Sequence, residues 1–457
     1  MRHVRHSDKI RFPILVGLIA ACFLMGGASR LDVTSLILLQ PLAAVCATAF
    51  LLLPGPIDWQ PVRFPLIFLA ALAGLMVAQL IPLPPAVWSN FPGQAPFVQS
   101  AALAGIEQSW RPMSLTPDLT LASLVGLVVP FAILIGFASI DARRRPLLLV
   151  ALLAGSVVSA VFALGQVSGG PKSPFYLYDV TNLEAGVGLF ANRNHQAVLL
   201  AMTLPMLTVW ATSPRQNSQR RTLVRWVAIG FALFLLPLLL VTGSRAGLLL
   251  GLLALGSAWL LWRKSAVVGT RRAEGIERFV PALIGGVAVL ALVATVFLSR
   301  AEAVQRLFAL KVGQDTRVEA TPILLEMARD FLPLGSGFGS FDPLFRFYEP
   351  LEKLDLVYLN HAHNDLLEIV ITSGVPGLFV VALFLGWFSW NALAAWRADA
   401  GSQTAQYARL ASVMILLPLI SSLVDYPLRT PLMMAIVAVA SGWLGALSAS
   451  RRQLEVN

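Results

Sequence analysis

A chain that repeats stretches of about twenty apolar residues along most of its length has few folds open to it, because a bilayer core takes that many residues to cross as helix. Twelve such stretches are read here, near 12–29, 33–54, 64–82, 119–140, 146–167, 194–212, 222–242, 244–262, 279–299, 365–390, 406–424 and 430–449. Inside hydrocarbon no water is at hand for backbone groups, so each stretch must satisfy its own peptide bonds as a helix. The expected fold is all-α: a polytopic integral membrane protein with about twelve transmembrane helices, read as one transmembrane domain over 1–457. Composition agrees, with 57% hydrophobic and 13% charged residues. An ordinary soluble domain carries about 25% charged residues. Cys22 and Cys46 both lie inside apolar runs, which excludes a disulfide framework and a cysteine metal site.

The net charge of +10 acquires its meaning from topology. If the N-terminus is cytoplasmic, 21 of the 34 Lys and Arg fall on the inner segments, the bias that short cytoplasmic loops show. Both termini are therefore expected inside, and no nucleic-acid partner is needed to explain the charge. The basic start followed by 12–28 resembles a signal peptide, but further spans follow, so it is read as an uncleaved first helix. Three outer segments are long: 83–118, 168–193 and 300–364. The last is expected to fold as a small helical cap over the membrane face, with short helices at 301–310 and 321–331. Within it, Leu334-Gly-Ser-Gly-Phe-Gly-Ser340 lacks the Lys of a phosphate-binding loop and reads as a turn.

Polar residues gather where helices start on that outer face. His361-Ala-His363-Asn364 is followed by Asp365, read as an N-cap, with Glu368 three residues later as in a capping box. A histidine at the positive end of a helix is held neutral beside an anion site, which suits a general base. The plainer alternative is a polar helix start marking the interface. Asn192-Arg193-Asn194-His195, Ser244-Arg245 and Asp425-Tyr-Pro-Leu-Arg429 open or precede three more helices on the same face. Arg193 and Arg245, with Arg429 as a further candidate, would line an anion-binding bowl. Guanidinium forks match phosphate oxygens two at a time, so a pair of them can hold a pyrophosphate without a metal. The His361, His363 and Asp365 spacing could offer metal ligands, but no further carboxylates complete a set, and no metal or other cofactor is expected. His195 reads as a packed helix residue. Asn192, Asn194, His361, Asn364, Asp365, Arg317, Asp425 and Arg429 are supporting candidates.

Taken together, Phe190-Ala-Asn-Arg193-Asn-His195, Thr242-Gly-Ser-Arg245-Ala-Gly247, the 334–341 loop, and His363-Asn364 with nine residues to Gly374-Val-Pro-Gly377 resemble the O-antigen ligase and polymerase family of bacterial membrane glycosyltransferases. The resemblance implies a GT-C-like helical fold in the bacterial inner membrane, with the site facing the periplasm. It implies an undecaprenyl-pyrophosphate-linked glycan as donor and lipid A-core or a growing glycan as acceptor. It also implies Arg193 and Arg245 as diphosphate ligands and His363 as the base of an inverting transfer without nucleotide or metal. The His-Asn spacing leans toward a ligase over a polymerase. A transporter or flippase for anionic lipid-linked sugars is the alternative of another class, with Gly374-Val-Pro-Gly377 as its candidate helix break. In a straight helix Gly374 would lie about 16 Å from His363, suited to close packing between helices.

Overall fold

The structure, a computed structural model, describes residues 2–183, 185–213, 218–265, 316–353 and 359–456. The helix expected at 279–299 and the short one at 301–310 lie outside the described residues. In chain order the elements are α1 (Arg2–Met25), α2 (Leu36–Leu52), α3 (Arg63–Leu80), β1 (Pro82–Leu83), α4 (Pro85–Trp88), α5 (Ala95–Leu103), β2 (Arg111–Pro112), α6 (Pro117–Gly126) and α7 (Val128–Ser139). They continue with α8 (Leu148–Gly169), α9 (Arg193–Ala211), α10 (Ser218–Val241), α11 (Arg245–Arg263), α12 (Thr316–Phe331), α13 (Phe341–Tyr348), α14 (Asp365–Arg397), α15 (Gln403–Ser421) and α16 (Pro431–Val456). The protein is an all-α polytopic membrane protein. Among the described residues eight helices are long and apolar enough to cross a membrane. They correspond to α3, α6 with α7, α8, α10, α11, α14, α15 and α16. The expected spans at the positions of α1, α2 and α9 are also helical, but α2 has only 17 residues. Helix α9 opens on the polar run Arg193-Asn-His-Gln196.

Helices α9, α15 and α16 pack at the centre and are buried on nearly all sides, whereas α3 and α11 leave Ile67, Leu249 and Leu252 outward. A helix apolar all round belongs in the interior or against lipid, and here both kinds occur. Hydrogen bonds between chain segments define two faces of the bundle. On one, Leu432 N–H donates to Gly26 O, Ala191 N–H to Gly27 O, and Asp365 N–H to Ser422 O. These bonds tie the end of α1 to the starts of α9 and α16, and the end of α15 to the start of α14. On the other face Arg144 pairs with Asp8 at 2.7 Å, Tyr407 Oη donates to Pro146 O, and Gln406 donates to Thr212. The two terminal helices thus have their outer ends on this second face, opposite the starts of α9, α11, α14 and α16.

Helix α14 is not straight. Gly374 has φ 56° and ψ −147°, which interrupts the helix beside Pro376. The carbonyls left open by the break are taken by the glycine-rich loop between α12 and α13. Ser336 N–H donates to Ile371 O and Gly337 N–H to Thr372 O, while Val375 N–H donates back to Pro333 O, all at 2.8–2.9 Å. Gln79 of α3 adds a side-chain bond to Thr372 O at 3.0 Å and accepts from Phe338 N–H. A Cβ at Gly374 would lie 2.1 Å from Pro333 O, so only glycine allows both the turn and the approach. The turn read at 334–340 is therefore the partner of the Gly374 break. Gly374, expected as a site of close packing between helices, makes its close approach to the Pro333 and Leu334 backbone of this loop.

Candidate functional site

The start of α14 is capped one residue earlier than the sequence reading had it. Asn364 is extended, and its Oδ1 accepts from Leu367 N–H at 3.1 Å. Asp365 is already helical. Adjacent Asn and Asp are equally good caps, and what separates them is that the Asp365 carboxylate has a stronger partner, Arg429 Nε at 2.7 Å. Glu368 reaches back as a capping carboxylate should, but to Ala362 N–H at 2.8 Å. Its other oxygen meets His361 Nδ1 at 3.0 Å and Arg429 Nη1 at 3.1 Å. Burial opposes the charge of Arg429, but Glu368 and Asp365 outweigh it and hold the guanidinium above its ordinary value.

His363 is the one non-glycine residue with positive φ among the described residues, at 49°. Such a backbone is uncommon outside glycine, and among other residues Asn, Asp and His adopt it most readily. It turns the imidazole away from His361 and toward Asp425, with Nδ1 3.2 Å from Oδ1. Asp425 is fully buried in the connection between α15 and α16. It accepts from its neighbour Tyr426 N–H at 3.0 Å and from Asn194 Nδ2 at 2.5 Å, and His195 Nε2 stands 3.9 Å away. A carboxylate only accepts, so the bond to Asp425 puts the proton of a neutral His363 on Nδ1 and leaves Nε2 as its basic nitrogen. The Tyr426 ring lies among all three histidines, 4.3 Å from His361, 4.8 Å from His363 and 5.2 Å from His195 between centroids. Its hydroxyl reaches Asn360.

Asn194 brings the start of α9 to the same point. Asn192 caps that helix by accepting from Asn194 N–H at 2.8 Å, which places Arg193 in the first turn, its own N–H on Asn182. Helix α11 begins alongside. Ser244 caps it by accepting from Gly247 N–H at 2.9 Å, and a Cβ on Gly247 would come within 2.4 Å of the Ala197 side chain. The two helices therefore touch within four residues of Arg193 and two of Arg245, and both arginines open a helix at the same level. Helix starts present N–H groups and the positive end of the dipole, which favour an anion. Arg317 lies in the first turn of α12, and its side chain is outside the described residues.

The three residues weighed as metal ligands thus turn to three different partners: His361 to Glu368, His363 to Asp425 and Asp365 to Arg429. A cavity of about 640 Å³ opens on the His361 side. Asn360, His361 and Arg429 line one end, and Met76, Val381 and Phe384 line its apolar depth. Tyr426 and the pairing of Asp425 with His363 lay beyond the sequence reading, which named Asp425 only as a supporting residue. The partners are 62 positions apart. The one local signal was an acid placed directly before an aromatic in a short connection between two apolar runs.

Residues 230–382 match the family model described as O-antigen ligase. The match supports the O-antigen ligase and polymerase family. It takes in Arg245, the loop that fills the helix break, His361, His363 and Gly374, and leaves Arg193 and Asp425 outside it. No curated protein matches the chain.

Proposed function

We propose that the chain is a membrane glycosyltransferase that moves a glycan from undecaprenyl pyrophosphate to an acceptor hydroxyl, acting as an O-antigen ligase on lipid A-core. The observation that carries this reading is His363 held by buried Asp425, which is itself bonded to the first turn of α9 beside Arg193. In this mechanism Arg193 and Arg245 grip the donor pyrophosphate at the starts of α9 and α11. Nε2 of His363 takes the proton of the acceptor hydroxyl as its oxygen attacks the anomeric carbon from the face opposite the leaving group. The bond from that carbon to the phosphate oxygen breaks, the configuration inverts, and the lipid pyrophosphate departs against the two guanidinium groups. Asp425 fixes the tautomer and, as a carboxylate, stabilises the positive charge that His363 acquires. With Asp425 on His363 and the two guanidinium groups on the pyrophosphate, this scheme calls on no metal. The apolar cavity beside His361 offers room for part of a lipid substrate.

The basic second face supports a cytoplasmic placement of both termini, so the site faces the periplasm of the inner membrane. The broken helix α14 is a feature that favours a transporter, but its open carbonyls are already bonded by Ser336, Gly337 and Gln79. The test is to give the purified protein lipid-pyrophosphate glycan with lipid A-core, or donor alone. A single addition to lipid A-core supports the ligase, and a ladder grown from donor alone makes it a polymerase. Donor crossing a liposome bilayer with no new glycosidic bond would overturn the transferase reading.

A further inference from the structure

The connector from α3 to α6 carries a feature that the transfer reading leaves unused. From 64 to 110 the chain holds a single charged residue, Glu107. About a third of that length is the span α3, but the rest, α4, α5 and their loops, lies beyond the span's end on the site face. One side of this segment is packed against the cap. Gly93 presses on the Phe331 ring of α12, and the Phe97 and Phe347 rings stand 5.4 Å apart, while inside the segment Trp88 is buried and its Nε1 donates to Ser109 O. The other side is open and apolar: Leu103 is 91% exposed, Trp110 67% and Ile106 55%.

The height of this open side is fixed by the fold. Strand β2 pairs antiparallel with β1, Leu83 opposite Arg111, three residues beyond the last turn of α3. Ser114 N–H donates to Gln79 O inside that last turn. Trp110 is the residue before the pairing, so it sits level with the end of a membrane span. Gln94 Nε2 donates to Met113 O beside Ser114, which ties the start of α5 to the last turn of α3, and helix α5 is nine residues long, about 14 Å, which bounds how far Leu103 stands from it. Exposed apolar residues continue on both neighbouring spans, Ile67 and Val77 of α3 and Leu121 and Val125 of α6, with Glu107 and Arg111 the charged residues between the two helices and Asp118 in the first turn of α6. A water-facing connector would need charge to stay solvated, and this one has almost none. Tryptophan at the end of a span is the residue that headgroup regions favour.

We propose that residues 84–110 form an in-plane interfacial element, seated in the leaflet on the site face with Leu103, Ile106 and Trp110 among the lipid headgroups and upper acyl chains. The occupant of this surface is the bilayer itself, which continues over it from α3 and α6. The element thereby sets the depth at which the starts of α9, α11 and α14 meet the lipid surface. The inference stands apart from the transferase reading, since it concerns where the protein sits in the bilayer and not what it does there.

The experiment is depth measurement by spin labelling in phospholipid nanodiscs, one label each at Leu103→Cys, Ile106→Cys and Trp110→Cys. Cys22 and Cys46 are buried, and the unsubstituted chain supplies the background. Leu252→Cys on the outer side of α11 gives the lipid reference, and Gly401→Cys in the exposed connection after α14 gives the aqueous one. The expected result is oxygen collision exceeding that of a water-soluble nickel complex by several-fold at all three positions, between the two references. Collision dominated by the nickel complex, as at position 401, would overturn the proposal and leave the surface to a partner protein. Brominated lipids supply a second reading: they should quench the part of the emission that Trp110→Phe removes, and no quenching of that part counts against insertion.

Discussion

Arginines on the two faces of this bundle meet opposite ends of helices. On the second face Arg11 is 1% exposed within α1 and donates to the carbonyls of Leu53, Pro56 and Ser139, where α2 and α7 end. Arg409 is fully buried in α15 and donates to Ala395 and Ala398 at the end of α14. A helix C-terminus offers unsatisfied carbonyls and the negative end of the dipole, so these guanidinium groups are consumed in holding the fold. On the site face Arg193 and Arg245 stand in first turns, where the backbone offers N–H groups. Positive charge there adds to positive charge. The difference teaches that the end of the helix decides what the backbone offers a guanidinium, carbonyl acceptors on the second face and N–H groups that favour an anion on the site face.

The comparison can be broken by substituting both kinds alike. His363→Ala is the largest expected effect, since it removes the group that Asp425 and the positive φ aim, and transfer should fall by at least about 100-fold with donor binding kept. Next, Asp425→Asn should lower the turnover number about 100-fold with little change in the donor KM, because a neutral amide no longer fixes the tautomer or offsets the positive charge of His363. Arg193→Lys and Arg245→Lys should each weaken donor binding about 10- to 100-fold, as expected when a bidentate grip becomes a single one, with the melting temperature in detergent unchanged. Arg409→Met should do the reverse. It removes the guanidinium bonds to the Ala395, Ala398 and Asp399 carbonyls at the end of α14 and should cost about 2 kcal/mol in reversible unfolding, with donor affinity intact in the folded fraction. Equal effects of the Arg193 and Arg409 substitutions on stability would erase the distinction between the faces. The smallest effect belongs to Asn364→Ala, about 1 kcal/mol for a lost cap, with Asp365→Ala acting instead through Arg429.

The spans were readable because membrane crossing asks only for length and apolarity, both local. So were the helix starts at Asn192 and Ser244, where a capping side chain directly precedes an arginine. Asn364 and Asp365 defeated local reading because either can cap, and the choice was made by Arg429, 64 residues on. The break at Gly374 could be named from its Gly-Val-Pro-Gly spelling, but not what fills it, since the filling N–H groups come from Ser336 and Gly337 on another element. The pairing of His363 with Asp425 was hidden for the same reason: it exists only once α9, α14 and the connection before α16 are brought together. Arg11 and Arg409 passed as flanks of apolar runs, because their carbonyl partners lie on other helices.

The central claim is that His363, held by Asp425 beside the arginine-bearing helix starts, is the base of glycan transfer. The most direct measurement is glycan transfer by purified wild-type and His363→Ala protein from undecaprenyl-pyrophosphate glycan to lipid A-core, with folding checked by thermal melting. The account predicts transfer by the wild type and loss of at least about 100-fold in a variant that melts at the same temperature. Undiminished transfer by a folded His363→Ala protein would contradict it.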